Sequence, residues 1–234
     1  MGTGLELAKA VVARTYVRKQ LLSELRLETR LLALRWNYRL NPLVIRKRRA
    51  LRALDDVKLH FGSGARIFPG WVNIDAAPIE GLDLRMDLRM PLPLGDRSAR
   101  LIFAEHVLEH MDRATDLPRI LRDFYRVLKP GGAVRIIVPD LDGYCRALAT
   151  RDAEWLHAAR PDCATHAQAV NALFYDHFHR YAYDASTMAQ HLREAGFTDV
   201  ATTAYGQSGF PELARDLAEV PRSRESLCVE ASRR

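Results

Sequence analysis

From Val57 onward, apolar residues fall into short runs punctuated by glycine, proline and aspartate, and these runs alternate with stretches in which apolar residues recur every three or four positions. Val57-Lys58-Leu59-His60-Phe61 predicts a first strand, and Trp71-Val72-Asn73-Ile74-Asp75 a second that ends in a carboxylate. A third is expected over Leu82–Met86, a fourth at Leu101-Ile102-Phe103-Ala104 and a fifth at Ala133–Val138. Leu117, Leu121, Phe124 and Leu128, spaced 4, 3 and 4, predict a helix that Pro130-Gly131-Gly132 stops. Residues 140–175 read as helical and irregular. A helix capped by Asp184 runs through Met188 and Leu192 to Gly196, and strands near Val200–Tyr205 and Leu227–Ala231 close the series.

The strands are apolar throughout rather than alternating, so both faces of the sheet are covered. The expected fold is α/β, a doubly wound Rossmann-like sheet, mostly parallel with an antiparallel last strand. Ahead of it, Leu21, Leu22, Leu25, Leu32 and Trp36 predict a helix over residues 5–40, and a second helical piece runs from Val44 to Leu54. The expected division is a basic helical N-terminal extension at residues 1–54 and one domain at 55–234.

Charge sharpens that division. The 234 residues carry a net charge of +6, yet residues 1–52 hold 13 Lys+Arg and 3 Asp+Glu, net +10, and the remainder holds 22 and 26, net −4. Basicity therefore belongs to one segment and does not describe the domain. Hydrophobic residues make up 48% and charged residues 27%, enough apolar material for a sizeable core and unlike a disordered chain. Cys145, Cys163 and Cys228 are odd in number and contain no C-x-x-C pair, so neither a disulfide framework nor a zinc knuckle is expected. No run of about 18 apolar residues or signal peptide is visible, and a cytoplasmic location is expected, with peripheral contact to an anionic membrane through the N-terminal helices as an extension of it.

The chemistry begins at Gly62-Ser63-Gly64, a turn after the first strand that keeps backbone open to a ligand. A dinucleotide fingerprint wants a further glycine, a full helix and an acidic residue about 20 positions on. Here Asp75 follows Gly64 by 11 residues, which leaves no room for that helix. A P-loop string is absent as well. The spacing suits a ligand with a ribose and no pyrophosphate, Asp75 accepting from the ribose hydroxyls and Asp87 from an adenine amino group.

Leu59-His60-Phe61-Gly62-Ser63-Gly64, Gly70–Asp75, Asp87–Pro93, His106-Val107-Leu108-Glu109-His110 and Leu128-Lys129-Pro130-Gly131-Gly132 occur in the order of class I S-adenosylmethionine-dependent methyltransferases, which residues 57–138 resemble. Later segments extend the resemblance over almost all of 56–231. It implies S-adenosyl-L-methionine as cofactor, with Gly62, Ser63 and Gly64 at its methionine part, Asp75 at the ribose, and Asp87 with the Leu88 backbone at the adenine. His60 departs from the wider family, where an acidic or amide residue is more common.

His106-Val107-Leu108-Glu109-His110 also spells an inverted zinc-peptidase motif, but it begins at a strand-to-helix turn and not inside a long helix. Some quinone-biosynthesis O-methyltransferases carry Glu-x-x-Glu-His there and bind a divalent cation. His106 replaces the first Glu, so no metal ligand is assigned and a divalent cation is left open. Methyl transfer to a hydroxyl needs a proton removed, and His106, His177 and His179 are the candidate bases.

The resemblance is nearest to small bacterial enzymes of polysaccharide and secondary-metabolite pathways, which implies O-methylation of a sugar, glycan or other small metabolite. Two readings compete: an RNA or tRNA methyltransferase gripping phosphates with the basic N-terminus, and a non-catalytic module using that segment for homodimerisation or membrane attachment. The net acidic domain, without interleaved aromatic and basic residues, disfavours nucleic acid.

Overall fold

The computed structural model of the chain describes residues 19–176 and 178–234; the part over 5–18 of the helix expected over 5–40 and the candidate base His177 lie outside them. The chain forms two compact units, Met1–Ile45 and Arg46–Arg234. In the first, α1 spans Lys19–Leu40, where Asn41-Pro42 interrupts it; α2, Pro42–Arg52, begins in the first unit and ends in the second. The apolar positions that set the helical period of α1 do not become core: Leu21, Leu25, Leu32 and Trp36 are each about half exposed.

The second unit is built on a seven-stranded sheet. Its strands are β1 Val57–Phe61, β2 Val72–Asp75, β3 Leu84–Arg85, β4 Ala99–Glu105, β5 Leu128–Pro139, β6 Thr198–Thr203 and β7 Ser226–Ser232. Their spatial order is β3-β2-β1-β4-β5-β7-β6. The pairs from β3 to β5 are parallel, and β7 is antiparallel to both of its neighbours, as the expected fold class has it. Chain order reverses between β1 and β4, and in such sheets ligands sit at the carboxyl ends of the strands flanking that switch point.

The helices that follow the extension are α3 Asp116–Val127, α4 Leu141–Thr150, α5 Ala153–Ala159, α6 His166–Tyr175, α7 Ala185–Glu194 and α8 Val220–Glu225. Leu117, Ile120, Leu121, Phe124 and Val127 of α3 are buried, and the Phe124 ring meets Phe61 edge-on at 4.9 Å. Asp184 caps α7 by accepting from the Thr187 N–H at 2.7 Å, and Gly196 beyond its end has φ +103°.

Two details differ from the periodic reading. Helix α3 ends at Val127, and β5 begins at Leu128, ahead of the glycines. Pro130 disfavours helical geometry at Lys129, so the chain turns extended before the glycines are reached. Arg135 lies in the middle of an apolar strand with no exposed surface, paired in register with Glu230 of β7. Its guanidinium donates to Asp216 and Glu230 and, at 2.6 Å, to the Thr203 hydroxyl. All three cysteines are free, and no described helix is long and apolar enough to cross a membrane.

Candidate active site

At the end of β1 the chain turns through Gly62, whose N–H, with that of Ser63, donates to the Ile74 carbonyl of β2. Gly62 has φ +71°, and a Cβ there would lie 2.2 Å from Val107 Cγ2. The turn therefore packs against the loop after β4 in a way that only glycine permits. Gly64, at φ +51°, has nothing within 4 Å of its Cβ direction and offers bare backbone to open space. Asp75 secures this turn from β2: one carboxylate oxygen accepts from the Gly64 N–H at 2.8 Å, the other from the Ala77 N–H at 2.7 Å.

Gly62, Ser63, Gly64, Asp75 and Leu88 line one cleft of about 410 Å³. These features fit S-adenosylmethionine: a glycine cradle that a side chain would fill, and a strand-end carboxylate with lone pairs left over for a diol. Asp87 is placed differently. It is buried, and its carboxylate holds Arg89 through Nε at 3.1 Å and Nη2 at 3.2 Å and accepts from the Arg89 N–H. The Asp87 carboxylate is thus engaged within its own loop, and Leu88 is the residue of the pair on the cleft wall.

His60, at the departure from the family pattern, lies on the cleft wall too. Its ring stacks on Phe68 at 4.0 Å, and Nδ1 bonds the Asn73 amide oxygen at 3.3 Å. Burial pushes its pKa from 6.5 down to about 4, against the hydrogen bond to Asn73, which raises it. The ring is neutral at pH 7 and charges more readily in the unfolded chain. Its contribution to stability is therefore complete above about pH 6.5 and is lost as the pH falls toward 4, about 3 kcal/mol in all. Urea midpoints measured across that window should fall with pH, and His60→Gln should flatten the fall; an equal slope in both proteins would locate the titration elsewhere.

Beyond the cleft, His106, His110 and Arg222 also line a second cavity of about 610 Å³. His106 follows β4 directly and has φ +51°, a left-handed conformation that costs a residue with a Cβ about 1–2 kcal/mol. Its surroundings hold it there. The His106 N–H donates to the Ile137 carbonyl at 2.8 Å, ring Nε2 meets Ser226 Oγ at 2.8 Å, and ring Nδ1 meets Arg222 Nη1 at 2.6 Å. A guanidinium only donates, so Nδ1 is the acceptor and Nε2 carries the proton. Both nitrogens are engaged, and His106 can take a substrate proton only when the Arg222 contact opens.

His179 lines the same second cavity, with Nδ1–H donating to the Leu173 carbonyl at 2.6 Å. The structure thus brings His106 and His179 to one cavity. His177 lies outside the described residues.

Between the two histidines is Glu109, with no exposed surface. Its backbone carbonyl accepts from the Arg180 and Tyr181 N–H groups, tying the His106–His110 loop to the segment before α7.

Several cleft residues carried no sequence signal. Glu105 pairs with Arg66 and accepts from the Tyr205 hydroxyl at 2.9 Å and the Leu217 N–H at 3.2 Å, so it joins the cleft wall to the chain before α8. Its place at the end of β4 was the one available clue. Arg222, in α8, had none.

The methyltransferase domain family matches residues 37–202, more than half of the chain. A curated relative, Phosphoethanolamine N-methyltransferase 1 of Arabidopsis thaliana, is 27% identical over 138 residues, which are 59% of this chain and 23% of the relative. The chain spans about a quarter of that protein's length. Similar solved structures include a SAM dependent methyltransferase from Archaeoglobus fulgidus, with 14% identity, coverage of 81% of this chain and 92% of the other, and a TM-score of 0.47. One from Mesorhizobium loti has 16% identity, 81% and 97% coverage, and a TM-score of 0.45. Human N-acetylserotonin methyltransferase in complex with SAM has 17% identity, 87% and 55% coverage, and a TM-score of 0.45. With its glycine turn, strand-end carboxylate and ordered landmarks, the chain belongs to the methyltransferase domain family and is a class I S-adenosylmethionine-dependent methyltransferase.

Proposed function

We propose that the chain methylates a hydroxyl of a sugar, glycan or other small polar metabolite. The observation that carries this reading is the second cavity: it adjoins the cofactor cleft at His106 and His110, and its wall is rich in groups that exchange hydrogen bonds with hydroxyls, among them Arg160, Asp162, Glu225 and His179. A polyol can satisfy these groups. S-adenosylmethionine, when bound, supplies an electrophilic methyl group on a sulfonium.

The chain's own residues do the rest. In this reading Gly62 and Gly64 let backbone approach the methionine part, Asp75 orients the ribose and Leu88 covers the adenine end. The cavity's part is to hold the acceptor oxygen in line, which is most of what a displacement needs. His179 and, once Arg222 withdraws, His106 are the groups placed to accept the hydroxyl proton.

An amine acceptor is the second reading, favoured by the name of the Arabidopsis thaliana relative and by the carboxylates Glu109, Asp162 and Glu225 at the cavity. Incubation with methyl-labelled cofactor and panels of glycosides and of amines, with the product bond assigned by NMR, separates them. Labelled methyl ethers are expected; label confined to nitrogen would overturn the hydroxyl reading.

A further inference from the structure

We propose that Glu109, His110 and His179 form a binding site for a divalent transition-metal ion of the zinc class, on the wall of the acceptor cavity. The three residues bring one ligand atom each to within 4.8 Å of one another. Glu109 is the decisive member. Both of its carboxylate oxygens are buried and neither has a hydrogen-bond partner among the described residues. The nearest charged candidate is His106 Nδ1, 3.3 Å from Oε1, but the Arg222 guanidinium already donates to that nitrogen, which has no proton left to give. A buried carboxylate without a donor is unfavourable unless a cation meets it.

The two imidazoles stand where that cation would find its other ligands. His179 Nε2 faces Glu109 Oε1 at 3.9 Å, and the His110 and His179 rings meet edge-on at 4.9 Å between centroids. Nδ1–H of His179 is fixed on the Leu173 carbonyl, so Nε2 is the nitrogen presented, with its tautomer set by an outer hydrogen bond as in metal-binding histidines generally. Two imidazoles and one carboxylate suit zinc and its neighbours in the first transition row better than magnesium or calcium. Three protein ligands beside a cavity of about 610 Å³ leave a coordination position open to an oxygen from outside.

His106 is not part of this set, so the site differs from the Glu-x-x-Glu-His string weighed in the sequence. It uses a histidine 69 positions beyond His110 that only the fold brings near. Resting on the hydroxyl-acceptor reading, the ion's place is to hold an acceptor oxygen beside the cofactor cleft, which His110 also lines; with Nε2 of His179 on the ion, His179 no longer accepts the hydroxyl proton and His106 is left in that role.

The test is a titration of chelator-treated, untagged full-length protein with cobalt(II), followed by its visible absorption, with zinc as competitor. One equivalent should bind, and zinc should displace it. His110→Ala, at an exposed position, and His179→Ala should each weaken cobalt binding by roughly 100-fold, since even an outer-shell partner is worth 10–100-fold. Failure to bind an equivalent of cobalt, or affinity unchanged in both variants, would overturn the site. Cofactor affinity by calorimetry and acceptor panels on the same samples report the hydroxyl reading separately, so either can fail while the other stands.

Discussion

Replacing Arg135 with methionine is expected to destabilise the domain by about 3–5 kcal/mol, read as a shift of the urea midpoint. Arg135 is fully buried, and its two acidic partners are nearly so, with Asp216 and Glu230 side chains 1% and 7% exposed. The guanidinium grips Asp216 through Nε and Nη2 and Glu230 through Nη1 at 2.8 Å. Methionine fills much of the volume but leaves two buried carboxylates facing each other with no cation. Lysine returns the charge without the planar fork, so Arg135→Lys should fall between the two. Adding Glu230→Gln to Arg135→Met removes one of the stranded charges and should recover part of the loss. A midpoint within experimental error of the parent for Arg135→Met would contradict this account. Total stability of a domain is about 5–15 kcal/mol, so the variant is expected to be marginal at ambient temperature.

The consequence reaches the site. Asp216 also accepts from the Gly206 N–H, and its neighbour Leu217 lines the cofactor cleft and donates to Glu105. The ion triad therefore fixes the segment that forms one wall of the cleft. Loss of the triad should weaken cofactor binding even where the fold survives.

None of this pairing was legible in the sequence. Local periodicity reads Ala133–Val138 as a strand covered on both faces, which is right about burial and silent about Arg135, because its partners lie 81 and 95 residues away. The strands and the doubly wound sheet followed from the alternation of apolar runs with helical spacing, a signal that each element carries within itself, whereas the strand order did not. The glycine turn was legible for the same reason: Gly62, Gly64 and Asp75 act through backbone within two adjacent strands. Asp87 has a partner that such reasoning does not see: Arg89, two residues on, pairs with its carboxylate. The second cavity was the least visible part, since it is assembled from separate stretches with no common pattern, among them the loop after β4, the loop after α5, the segment before α7 and helix α8.

Asp75→Ala is expected to weaken S-adenosylmethionine binding by roughly 100-fold or more in calorimetry. We assign the ribose contact to this carboxylate, and two hydrogen bonds from hydroxyls to a charged group are together worth about 3 kcal/mol or more. The same side chain holds the turn, accepting from the Gly64 and Ala77 N–H groups at 2.8 and 2.7 Å. Alanine therefore removes the ligand contact and releases the backbone that forms the cradle. Asparagine separates the two effects, because one oxygen can still accept while the amide nitrogen can only donate. Asp75→Asn should keep most of the stability and lose roughly 10-fold in cofactor affinity, the worth of one charge-assisted hydrogen bond at the low end. Asp75 is partly exposed at the strand end, so the alanine variant should remain folded, and the urea midpoint measured alongside reports it. Affinity within twofold of the parent for a folded Asp75→Ala protein would remove Asp75 from the ribose site and leave it as the residue that ties β2 to the glycine turn.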